Sequence, residues 1–206
     1  MAEMTRLLLV RHGQSTWNAQ RRWQGQANPP LSDHGRFQAK EAAKAIGVID
    51  AVVASPQQRA SHTAELIADE LGIGPVVLVP NLRERGAGPW SGLTVEEIEA
   101  RYPGYLADHR RPPGYETDEE LLARTKPALD ALAVGNPGRL VLVVTHGGVI
   151  HRFEEYLGLE SGRVPNLWGR LVEFTPDDRT GGTWRAGERL ELIEGHYATG
   201  GDADRV

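Results

Sequence analysis

The 206-residue chain contains no cysteine. That excludes disulfides, thiolate metal sites, iron–sulfur clusters and a cysteine nucleophile together. Lysine is scarce as well: only Lys40, Lys44 and Lys126 share the 23 basic positions with arginine. The basic side chains are therefore mostly permanent, planar forks suited to gripping anions. No apolar run approaches the ~20 residues needed to span a bilayer. The short run Leu7-Leu8-Leu9-Val10 ends in Arg11-His12 and is too brief for a secretory signal core. A cytoplasmic location is the simplest expectation. A net charge of -5 with a pI near 5.8 argues against a broad nucleic-acid or anionic-membrane surface. The pair Arg110-Arg111 is no basic stripe, though it could meet an anionic ligand. The chain has no HExxH, Walker A, dinucleotide or GxSxG motif. His146 and His151 are spaced wrongly to share a helix face as zinc ligands, so no metal is expected.

What is present is an ordinary globular composition, 40% hydrophobic and 25% charged. The length suits one domain over residues 1–206. Strand-like and helix-like segments alternate, which marks an α/β domain with a mainly parallel central sheet and helices on both faces, a three-layer α/β/α arrangement. Strands are expected at 6–10, 51–54, 76–79 and 140–144, with a final antiparallel pair at 170–175 and 183–193. Helices are expected from Ser32 or Asp33 to Gly47, from Pro56 to Leu71, from Thr94 to Tyr102, from Thr117 to Leu132 and from Gly147 to Leu157. Residues 103–116, rich in Pro, Gly and Arg, read as a surface excursion of the kind that often serves as a lid. The turn at Thr180 to Gly182 joins the last two strands, and the tail from Thr199 reads as frayed.

Two segments repeat one design. Leu7-Leu8-Leu9-Val10-Arg11-His12-Gly13 and Leu142-Val143-Val144-Thr145-His146-Gly147-Gly148 are apolar strands ending in His-Gly. Carboxyl ends of parallel strands open on one edge of a sheet, where ligands bind. Two histidines delivered there would face each other, with glycines that let backbone amides approach an anion.

Arg11-His12-Gly13-Gln14-Ser15-Thr16-Trp17-Asn18 resembles the signature of the histidine phosphatase superfamily, the phosphoglycerate mutase-like group. The resemblance covers most of the chain: Leu31-Ser32-Asp33-His34-Gly35, then Ser55-Pro56-Gln57-Gln58-Arg59-Ala60, then Leu82-Arg83-Glu84 with Gly88, Trp90 and Gly92, and last Thr145-His146-Gly147. It implies a phosphoglycerate mutase-like fold and hydrolysis of phosphate monoesters. His12 would be the nucleophile, with its second ring nitrogen donating to a backbone carbonyl. Arg11 and Arg59 would grip the phosphoryl oxygens in bidentate fashion. His146 would be a second electropositive partner, and Glu84 the general acid and base. Asn18, Gln24, Gly25 and the Gly147 amide would contact the substrate. These charges would replace a metal, so no cofactor is implied.

The chain also departs from the family pattern. Arg85-Gly86-Ala87 follows Glu84, adding a positive charge and a flexible backbone, and Pro113-Gly114-Tyr115-Glu116-Thr117 matches "GGES" imperfectly. Gln24-Gly25 stands where mutases carry threonine-glycine. About a dozen irregular residues before Thr117 are too few for a deep cover, which favours hydrolysis over phosphoryl transfer. The rivals are a 2,3-bisphosphoglycerate-dependent phosphoglycerate mutase and a non-catalytic phospholigand-binding protein. The expected partner is a small phosphorylated metabolite, phosphosugar or phosphoglycerate-like. The sequence leaves oligomeric state open, with a homodimer among the arrangements it allows.

Overall fold

The computed structural model describes residues 3–179 and 181–193. Six strands form one sheet: β1 (Thr5–Arg11), β2 (Ala51–Ala54), β3 (Val77–Leu78), β4 (Leu140–Thr145), β5 (Trp168–Thr175) and β6 (Thr183–Glu191), in the order β3-β2-β4-β1-β5-β6. The first four are parallel, with Val10 opposite Val144 and Ala54 also opposite Val144. β5 runs antiparallel to β1, and β6 to β5.

The four-residue apolar run in β1 is what a strand covered on both faces requires. Leu8 and Val10 pack with Ala39, Ala42 and Ala43 of α2 (Asp33–Ala45) and with Ala60, Ala64 and Ile67 of α3 (Gln58–Leu71). Leu7 and Leu9 point the other way, to Leu129 of α5 (Asp118–Val134) and to Ile150 and Phe153 of α6 (Gly147–Tyr156). Each such buried side chain contributes about 1.5–3 kcal/mol. This is the three-layer arrangement expected, with β1 and β4 at its centre.

Several boundaries move. Pro56 does not start α3; Gln57 is extended at the N-cap and the helix begins at Gln58. α5 runs on to Val134 with Pro127 inside it. A one-turn helix, α1 (Thr16–Ala19), lies within the expected loop, closed by a capping box between Ser15 and Asn18. Thr180 and the tail from Thr199 lie outside the described residues.

The expected excursion at 103–116 is a packed cover. With α4 (Val95–Arg101) before it, it closes a third apolar cluster of Trp23, Ala87, Trp90, Leu93, Ile98 and Tyr115. Arg111 lies over the rings of Trp90 and Tyr115, at 5.3 and 5.4 Å, and Arg110 over Tyr105 at 4.2 Å. Aromatic area offsets the shortness of the segment. The segment is a packed cover where its length suggests too few residues for a deep one, and His12 is only 1% exposed.

Candidate active site

β1 and β4 are adjacent and parallel, so Arg11 pairs with Thr145 and the next residues, His12 and His146, leave the same sheet edge. Their rings meet edge-on, with centroids 5.2 Å apart. The His12 N–H bonds to Thr145 O, and its carbonyl accepts from Asn166 Nδ2. The backbone under the ring is thus fixed from both sides.

The His12 Nδ1 lies 2.7 Å from Gly13 O, and its Nε2 lies 3.1 Å from Arg59 Nε. A carbonyl can only accept and a guanidinium can only donate. Nδ1 therefore carries the proton and Nε2 presents a lone pair. Burial, then Arg59 and Arg11, hold the His12 pKa well below the ordinary 6.5, so the ring is neutral at physiological pH.

The Arg59 guanidinium is anchored by the loop before it: its terminal nitrogens donate to the carbonyls of Ala27 and Gly25 at 2.8 and 2.9 Å, while Nε faces His12. Gln57 Nε2 donates to the same two carbonyls, and its Oε1 accepts the Glu84 N–H at 2.7 Å. One glutamine thus joins the Gly25 loop to the Glu84 loop. Gly25 has φ of 51°, and a Cβ there would stand 2.6 Å from that of Ala87, so glycine is required.

Arg11 is 4% exposed and donates to Val164 O at 2.8 Å. Arg11, His12, Gln24, Gly25, Arg59 and Glu84 wall a small cavity of about 40 Å³. That is room for roughly three water molecules, each needing ~10–15 Å³. It adjoins a larger cavity of about 490 Å³ lined by Arg11, Glu84, Gly147, His151 and Arg111 among others. Gly147 opens α6, whose N-terminal amides favour an anion.

Asn18 Oδ1 accepts from the Ser15 N–H at 3.0 Å, and the Ser15 hydroxyl lies 2.7 Å from Gln24 Oε1, which ties Asn18 to the loop that carries Gln24.

Glu84 accepts the Arg85 N–H on one oxygen and the Gly148 N–H on the other, at 2.7 and 3.2 Å. Five bonds from Arg124 secure its loop: to both oxygens of Glu116 and to the carbonyls of Asn81, Arg83 and Glu84. The expected flexibility after Glu84 is absent, since Gly86 N–H binds Glu116 Oε2 and Arg85 pairs with Asp118 at 2.6 Å.

Burial, with the nearby Arg59 and Arg11, pushes the His146 pKa well below 6.5, which favours a neutral ring over the charged one expected. Ser55, Gln57, Arg124 and Gly148 were not read as site residues from the sequence, although Ser55 and Gln57 fall in the motif that leads to Arg59 and Gly148 doubles the glycine after His146. Among the described residues no group of three or more His, Asp or Glu gathers as a metal site would.

A neutral imidazole with a lone pair, two arginines, a helix N-terminus and a carboxylate around two adjoining cavities define a site for nucleophilic chemistry on a small oxyanion. The family model of the histidine phosphatase superfamily (branch 1) matches residues 7–186, and the chain belongs to that family. It is 35% identical to the uncharacterized phosphatase PhoE of Bacillus subtilis, over 84% of this chain and 91% of the relative. It is 32% identical to the glucosyl-3-phosphoglycerate phosphatase of Mycobacterium tuberculosis, over 98% and 90% of the two chains. The solved native structure of mycobacterial glucosyl-3-phosphoglycerate phosphatase superposes with a TM-score of 0.78 at 30% identity, covering 89% of this chain and 97% of that one. Among the described residues no helix is long and apolar enough to cross a membrane.

Proposed function

We propose that this chain is a metal-independent phosphatase that hydrolyses phosphate monoesters of small metabolites through a phosphohistidine on His12. The observation that carries the reading is the His12 tautomer: Nδ1 donates to Gly13 O, leaving Nε2 as an in-place nucleophile beside Arg59. Arg11, Arg59 and the α6 N-terminus offset charge on the phosphoryl oxygens, the role a metal would otherwise fill. Glu84, on the same wall, protonates the leaving oxygen as the P–O bond breaks. It then takes a proton from the water that attacks phosphohistidine, which returns His12 neutral and releases phosphate.

The substrate is proposed to be a phosphosugar or phosphoglycerate-like metabolite, which the neighbouring cavity of about 490 Å³ has room to accept. The relatives that carry phosphatase names support hydrolysis over phosphoryl transfer between hydroxyls. A cytoplasmic enzyme without nucleic-acid or membrane partners is the setting proposed. The test is phosphate release from a panel of phosphorylated sugars and hydroxy acids, with and without chelator and bisphosphoglycerate. The reading expects release unaffected by chelator; loss restored by one metal, or isomerisation faster than release on every substrate, would overturn it.

A further inference from the structure

The His146 ring has two nitrogens in different circumstances. Nε2 lies 2.8 Å from Ser55 Oγ, whereas Nδ1 is buried with no hydrogen-bond partner among the described residues. The ring that carries this atom packs edge-on against His12. Ser55 is itself fully buried, and its oxygen accepts the Gln57 N–H at 3.3 Å. A hydroxyl has one proton to give. The acceptor within reach of the Ser55 proton is His146 Nε2; were Nε2 protonated, the buried hydroxyl would have no acceptor among the described residues, whereas the Nδ1–H of the other tautomer has a phosphoryl oxygen to meet once substrate binds.

We propose that Ser55 is a positioning residue: its hydroxyl donates to His146 Nε2, fixes the Nδ1–H tautomer, and so presents a neutral N–H donor to the phosphoryl group that His12 attacks. The proposal rests on reading His12 as the nucleophile. It explains how a histidine that burial keeps uncharged can still stabilise an oxyanion. The other tautomer would offer a lone pair to a phosphoryl oxygen and repel it. Charge comes from Arg11 and Arg59, and His146 adds direction. No proton changes hands at His146 during the step.

Nitrogen-15 NMR of histidine-labelled protein at neutral pH reads the tautomer from the ring-nitrogen shifts and their couplings to ring protons. The expected spectrum has His146 protonated at Nδ1 and bare at Nε2. Ser55→Ala should move the ring towards the other tautomer and lower kcat about a hundredfold with KM little changed. Ser55→Thr, which keeps the hydroxyl, should retain the Nδ1–H signature and recover most of the lost turnover. A wild-type ring protonated at Nε2, or at both nitrogens, overturns the proposal whatever the activity does. So does Ser55→Ala with wild-type kcat. Phosphoryl trapped on a residue other than His12 would instead overturn the reading of the site, and the tautomer measurement keeps the two failures apart.

Discussion

At His12 Nδ1 donates to the carbonyl of the next residue and Nε2 faces Arg59; at His146 Nε2 lies beside the hydroxyl of a serine 91 positions away, and Nδ1 has no hydrogen-bond partner among the described residues. Both histidines follow an apolar strand and precede a glycine, and both rings are buried and neutral. The neighbour decides which face of the imidazole each offers. His12 is left with a lone pair and His146 with an N–H, so one repeated motif yields a nucleophile and a donor. The lesson is that a strand-end His-Gly supplies position, while function comes from the partner that sets the tautomer.

The largest break in this comparison is His12→Ala. Removing the nucleophile should lower kcat by about four orders of magnitude or more, measured as phosphate release at saturating substrate. His146→Ala, which removes only a donor, should cost about a hundred- to a thousandfold. Equal residual activity in the two variants would deny them different roles.

Next is Glu84→Gln. Alkyl esters, whose leaving oxygen needs a proton, should slow by about 10²- to 10⁴-fold, while p-nitrophenyl phosphate should change little. An equal loss on both substrates would remove Glu84 as the acid.

The two glycines after His146 sharpen the contrast at smaller scale. A Cβ on Gly148 would stand 2.5 Å from Glu84 Oε1, whereas one on Gly147 meets Arg11 side-chain atoms at an ordinary 3.6 Å. Gly148→Ala should therefore displace Glu84 and reduce alkyl-ester turnover about tenfold or more, and Gly147→Ala should be much milder. The reverse order in steady-state kinetics would contradict this geometry.

The smallest effect is on stability. His12 and His146 stay neutral in the folded protein below pH 6.5, where histidines of the unfolded chain take up protons. Stability is then fully present above 6.5 and falls as pH drops through that value, with a slope that approaches about 1.4 kcal/mol per pH unit for each histidine well below it. Denaturant unfolding between about pH 7 and 5.5 measures the slope, and His146→Gln should roughly halve it. A flat profile would mean that the rings charge in the folded state.

Much of this was legible in the chain. The runs Leu7–Val10 and Leu142–Val144 announce central parallel strands because both faces are covered, and His12, Arg59, Glu84 and His146 fall in motifs that survive reading in one dimension. What escaped were the supports. Ser55 reaches His146, Gln57 reaches Glu84, and Arg124 reaches the Glu84 loop from 40 residues on; such long-range bonds have no periodicity. The cover was misjudged for a related reason, since counting residues from 103 to 116 cannot show that Trp23 and Trp90 supply the other half of its core.

The central claim is that phosphorus passes through His12. Mixing enzyme with a ³²P-labelled ester, quenching in base within the turnover time and mapping the labelled peptide tests it directly. The account predicts a base-stable, acid-labile phosphoryl group on the peptide that contains His12, lost in His12→Ala and accumulating in Glu84→Gln when the leaving group needs no proton. Label on any other residue, or full turnover with no labelled protein at any quench time, would contradict it.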